Sequence, residues 1–186
     1  MKKQLTPLMI AHLALMVLMI IASVVFLVSQ KTPAFETYFG SLSASLSIMA
    51  FVNIAALCCG IFYLLQGYSK NDANFYKTFL GLMAVCCAIN VYTGFAIRGF
   101  GLGVILMIVK VVALGVLVLW KDLGKRYSLI LLAVMIAIDL IVFFTSFDQS
   151  VMTYKLTATL SKLVADGTVG LAIRGKYDDK DARGTK

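Results

Sequence analysis

Five stretches of this chain, Leu8–Ser29, Leu42–Leu65, Thr78–Ile97, Leu102–Leu119 and Ser128–Phe147, are long and apolar enough to cross a bilayer. A spanning helix needs about 20 mainly apolar residues, because each adds about 1.5 Å of rise across roughly 30 Å of hydrocarbon. Three of the runs carry no charge; the fourth carries only Lys110 and the fifth only Asp139. Lipid offers no partner for backbone N–H and C=O groups, so uninterrupted apolar runs of this length satisfy them internally, as helices. The expected fold is all-α, a polytopic integral membrane helical bundle. With 61% hydrophobic and 14% charged residues among 186, little chain is left for a water-soluble domain.

Charge placement orients the bundle. With the N-terminus in the cytoplasm, Lys2, Lys3, Lys70, Lys77, Lys121, Lys125 and Arg126 fall inside, against Lys31 and Arg98 outside. That is the positive-inside bias of a cell-membrane protein. Tyr38, Phe39, Tyr92, Phe95, Phe100 and Phe147 suit the outer interface, and Tyr63, Tyr68, Tyr76, Trp120 and Tyr127 the inner one. Met1-Lys2-Lys3 resembles the start of a signal peptide, but the apolar stretch that follows is too long and Thr32-Pro33-Ala34 suits cleavage poorly, so a retained helix is expected.

The segment 151–173 is ambiguous, because Lys155, Lys162 and Asp166 interrupt it while Met152, Leu156, Leu160, Leu163 and Val164 recur at helical spacing. A surface helix on the outer face is one reading. A sixth, semi-polar span is the other, and it returns the basic residues Arg174, Lys176, Lys180, Arg183 and Lys186 to the cytoplasm. The second is preferred, giving six spans with both termini inside. The chain then divides into a single transmembrane bundle over 1–174 and a charged cytoplasmic tail over 175–186, polar enough to be disordered or loosely attached.

Lys110 and Asp139 each lie about eight residues from the outer ends of consecutive helices, roughly 12 Å deep. A lone charge at that depth costs at least about 2.5–3.5 kcal/mol, so the two are expected to pair. If the sixth segment spans, Lys162 comes slightly deeper and Asp166 deeper still, and the four together are neutral, as a low-dielectric interior demands. Asn53 and Asn90 lie at similar depth and need partners across helix interfaces. Candidate site residues are therefore Lys110, Asp139, Lys162, Asp166, Asn53 and Asn90.

Several apparent motifs point away from catalysis. Gly99-Phe100-Gly101-Leu102-Gly103 lacks the preceding strand and final glycine of a dinucleotide loop and suits a tight hairpin between two helices. No nucleotide-phosphate loop motif is present. His12 is the single histidine, which denies this chain a bis-histidine haem site or an H-E-x-x-H zinc site and suits a packing role. Glu36 is the single glutamate. Cys58-Cys59 and Cys86-Cys87 lack C-x-x-C spacing and are expected as free, buried thiols. The echo of Ala56–Ile61 in Ala84–Ile89 is too short to be a transporter repeat. Ser43 and Ser47 fit a small-xxx-small packing face.

The net charge of +8 sits in loops and tail rather than on a basic helix, so no nucleic acid is expected as a partner. The expected partners are the lipid bilayer and further membrane subunits; no enzyme activity, cofactor or metal is expected. The functional expectation is a transport component that handles a polar solute or ion at the intramembrane charges. The alternative is a structural or accessory subunit in which the ion pairs only lock helices. In size and span count the chain resembles the substrate-binding membrane subunits of energy-coupling-factor vitamin transporters, a likeness of architecture and not of motif.

Overall fold

Each apolar run closes its own backbone hydrogen bonds, and the result is a bundle built from antiparallel neighbours. The computed structural model describes residues 6–29, 40–67, 73–120, 123–145 and 152–184. The helices among them are α1 (Pro7–Ser29), α2 (Ser43–Phe62), α3 (Ala73–Arg98), α4 (Leu102–Leu119), α5 (Lys125–Thr145) and α6 (Met152–Gly184). A 3₁₀ turn, Gly40–Leu42, leads into α2 and a π turn, Tyr63–Gly67, leads out of it. All six helices contain a segment long and apolar enough to span a membrane; in α6 it is Tyr154–Gly175.

Helices adjacent in sequence pack against one another, and α6 returns to pack on α1, which closes the ring. Pairs of touching residues fix the directions. His12 meets Thr168 near one end of α1, and the Phe26 ring meets Tyr154 near the other. Between α3 and α4 the chain turns within a few residues. Gly99, at φ +72°, supplies the left-handed conformation that ends α3, and its N–H donates to the Phe95 carbonyl over 2.8 Å. We refer to this side of the bundle as the hairpin end.

The outer surface is apolar. On α1, Leu15, Leu18, Ile21 and Val25 face outward while Met9, Met16 and Met19 face the core. Water would not tolerate a belt this large, whereas lipid tails accept it. Burial between helices brings little hydrophobic gain in lipid, so close packing carries more of the assembly. Two glycines permit that approach. A Cβ on Gly60 would lie 2.6 Å from the Met16 side chain, and one on Gly167 would lie 2.7 Å from the His12 ring. The methionine end can swing aside, but the imidazole is a rigid plate held at 2.9 Å by the Thr168 hydroxyl. Gly167→Ala is therefore expected to cost about 1–3 kcal/mol by overpacking the α1–α6 seam. Thermal unfolding in detergent micelles measures it, and a shift within error of zero would mean that this seam is loose.

α6 settles the ambiguity of the sequence by its orientation. Leu156 and Leu160 of its apolar stripe face outward and are about 40% exposed, while Asp166 is fully buried. A helix lying on a membrane surface would turn its charges to water; this one turns an acid into the protein. It is a span with lipid on its apolar side.

Helix ends differ from the hydropathy boundaries where polar residues flank the spans. α4 runs from Leu102 to Leu119 as expected, but α3 begins at Ala73 rather than Thr78, and α5 runs from Lys125 to Thr145. The tail expected to be disordered continues as α6 backbone to Gly184. A span already nucleated extends without repeating the nucleation cost, and no proline interrupts it. Tyr63, expected at an interface, is buried beside the Tyr76 ring, whose centroid is 5.4 Å away.

Candidate functional site

The inward stripe of α4 carries Val104, Met107, Lys110 and Leu114 at helical spacing, so Lys110 is forced into the bundle by its own neighbours. The same logic on α5 buries Met135, Ile138 and Asp139. The Lys110 ammonium donates to Asp139 Oδ2 at 2.5 Å and to Asp166 Oδ2 at 2.9 Å, and all three side chains have no exposed surface. One cation thus ties α4 to both α5 and α6. Charge-assisted bonds at these distances are strong in a low-dielectric interior, and each charge would be severely destabilising without the others.

The triad differs from the set expected by counting depth. Asp166 was expected deeper than Lys110 and instead shares its ammonium, because the long lysine stem reaches along the bundle to a level that residue counting does not register. Lys162 stands apart. No hydrogen bond or ion pair joins it to either carboxylate among the described residues, and its side chain is only partly buried. With both acids written as carboxylates the triad has a formal charge of −1, and Oδ1 of both Asp139 and Asp166 is buried with no hydrogen-bond partner among the described residues. Such orphaned acceptors are costly and uncommon in native interiors.

Lys162 instead lines a cleft. A cavity of about 340 Å³ lies between α3, α4, α5 and α6, with Asp139 and Lys162 in its wall together with Asn90, Thr93, Tyr154 and Lys155. Exposed Gly99, Gly101 and Leu102 also border it, so it reaches the surface at the hairpin end. On α6, Lys155, Thr159, Lys162 and Asp166 are spaced at i, i+4, i+7 and i+11, which places them on one face. A polar ladder therefore runs from the cleft into the buried triad. The spacing was present in the sequence, but the apolar stripe on the other side of the helix masked it.

The two asparagines part company. Asn53 donates to Ser161 at 2.6 Å and to Ser23 at 3.3 Å, joining α2 to α6 and α1 away from the triad. Asn90 donates within its own helix, to the Cys86 carbonyl at 2.9 Å, and borders the cleft. A side chamber of about 50 Å³, bordered by both asparagines and by Lys162, adjoins the main cleft. Ser47 donates to the Ser43 carbonyl at 2.9 Å, and all four cysteines are free. Among the described residues, no three His, Cys, Asp or Glu side chains converge as a metal site would require.

Comparison with protein-family models, with characterised proteins and with solved structures finds no match. The site holds a buried ionic triad formally one negative charge in excess, a cleft whose wall includes one member of that triad, and a lysine in the cleft with no hydrogen bond or ion pair among the described residues.

Proposed function

We propose that this protein is a small multi-pass transport component of the cell membrane that handles a polar solute or ion through the charged site between α3 and α6. The observation that carries the reading is that Asp139 belongs at once to the buried triad and to the wall of the cleft. Ionisable groups inside a membrane commonly mark a pathway, and those facing a cavity do so more than those sealed in packing. Midway binding between packed helices is also where transporters place their sites.

Exposed Lys77, Lys125 and Arg126 lie at the end opposite the hairpin, which supports cytoplasmic termini and a cleft facing outward. The chain carries no nucleotide-binding motif, so the proposed work draws on an ion gradient or on partner subunits. The rival role, an accessory subunit held together by its ion pairs, is favoured by the two carboxylates that both bind the Lys110 ammonium.

Water access separates the two. Thr159 borders the cleft, whereas Leu160 faces lipid. In a variant with its four native cysteines replaced, Thr159→Cys is expected to react in intact cells with a membrane-impermeant thiol reagent added outside. Leu160→Cys is expected to stay unlabelled. Protection of Thr159→Cys to the same degree would leave a dry structural lock and end the transport reading.

A further inference from the structure

The proposed solute site also indicates what kind of solute it takes, and this inference rests on the transport reading above. Lys162 and Asp139 line the same cleft with opposite charges, yet they do not pair. Asp139 keeps Lys110 on Oδ2, which leaves its Oδ1 and the Lys162 ammonium as the two charged positions of the cleft without a hydrogen bond among the described residues. The Asp139 side chain has no exposed surface, and its Oδ1 is buried with no hydrogen bond among the described residues. No hydrogen bond or ion pair holds the Lys162 ammonium among the described residues, and Lys162 lies between the main cleft and its side chamber.

A ligand carrying both missing charges would close the gap. An acidic group meets Lys162 and a cationic amine meets the Asp139 side of the triad, whose formal charge of −1 that amine balances. Counted formally, the triad, Lys162 and the bound solute are neutral together, which a low-dielectric site favours; Lys155, one turn and more away along the same face of α6, lies outside this set. A simple anion would satisfy Lys162 and leave the triad in excess; a simple cation would do the reverse. Size narrows the class further. About 340 Å³ is at the small end for a ligand site, and Met107, Val142 and Phe143 give the wall an apolar portion. We infer that the cleft binds a small zwitterion of amino-acid size, with the acid on Lys162, the amine toward Asp139 and an apolar substituent against Met107 and Phe143.

Matched probes test each charge separately. The full chain in lipid nanodiscs is titrated with radiolabelled leucine, methionine and phenylalanine, with the deaminated and decarboxylated counterpart of each as competitor. For leucine these are 4-methylpentanoate and 3-methylbutylamine. The expected result is saturable binding of at least one zwitterion, with both of its singly charged counterparts weaker by at least about 10-fold. Lys162→Met should weaken that zwitterion by at least about 10-fold and Lys162→Arg only a few-fold, since arginine keeps the charge. Absence of binding by all three zwitterions overturns the inference, as does equal competition by either singly charged counterpart. The labelling of Thr159→Cys tells the two failures apart. A labelled cleft that ignores zwitterions removes this ligand class and leaves a solute site standing, whereas an unlabelled cleft removes both.

Discussion

Lys110→Met is expected to lower the stability of the bundle by about 3–5 kcal/mol, the usual cost of removing one partner from a buried ionic set. The reason is the geometry of a single ammonium between two carboxylates at 2.5 and 2.9 Å, with all three side chains out of contact with solvent. Methionine nearly matches the lysine stem in volume, so packing changes little and the loss isolates the charge. What remains is two facing acids in an interior that favours neither. Removing one acid should be milder, because Asp139→Asn or Asp166→Asn leaves Lys110 with a full counter-charge. Adding both asparagines to Lys110→Met should recover most of the loss, since a neutral polar set no longer needs compensation. Denaturation in detergent micelles across these four variants measures the order. If Lys110→Met were no worse than either asparagine variant, the lysine would not be what holds the acids in place.

The Lys110–Asp139 contact was legible in the sequence for a simple physical reason. Two opposite charges at matched depth on consecutive antiparallel helices have few other ways to be satisfied in lipid. The five strongly apolar spans were legible on the same ground, since solvation by hydrocarbon imposes one solution on the backbone. Boundaries were less so, as α3 shows. Hydropathy registers how much chain the lipid core accepts, whereas the helix continues through polar residues such as Asn74 and Lys77 as long as its backbone bonds are made.

Other features were out of reach for reasons of geometry rather than pattern. That Asp166 and not Lys162 joins the triad depends on where α6 sits relative to α4, which residue counting along straight helices cannot supply. The cleft depends on what is missing between four helices. Its wall includes Gly94, Gly101, Gly103 and Ala158, whose small side chains leave a gap at the hairpin end. In the sequence those residues suggest only a tight turn and close packing. The tail illustrates the opposite error, because a polar composition was read as disorder in a segment whose helix was already under way.

The cleft rather than the triad is where a solute role and a purely structural role diverge, and one substitution separates them. Thr159→Trp is expected to weaken binding of any solute in the cleft by at least about 100-fold, equivalent to about 2.8 kcal/mol. It should leave the thermal stability of the bundle nearly unchanged. Thr159 stands between Lys155 and Lys162 on the inward face of α6, beside a volume of about 340 Å³. An indole placed there takes up much of that space and stands between the hairpin end and Asp139, while the contacts of Lys110 with its two acids are untouched. Ordinary overpacking costs arise where a core is already full, and here the added ring enters a gap. A protein whose charges only fasten helices together would have no binding to lose and would keep whatever assembly it supports. A solute carrier would keep its fold and lose its cargo. Stability measured beside solute binding on the same purified variant reads both outcomes. Undiminished binding with the ring in place would mean that the solute takes a different route through the bundle.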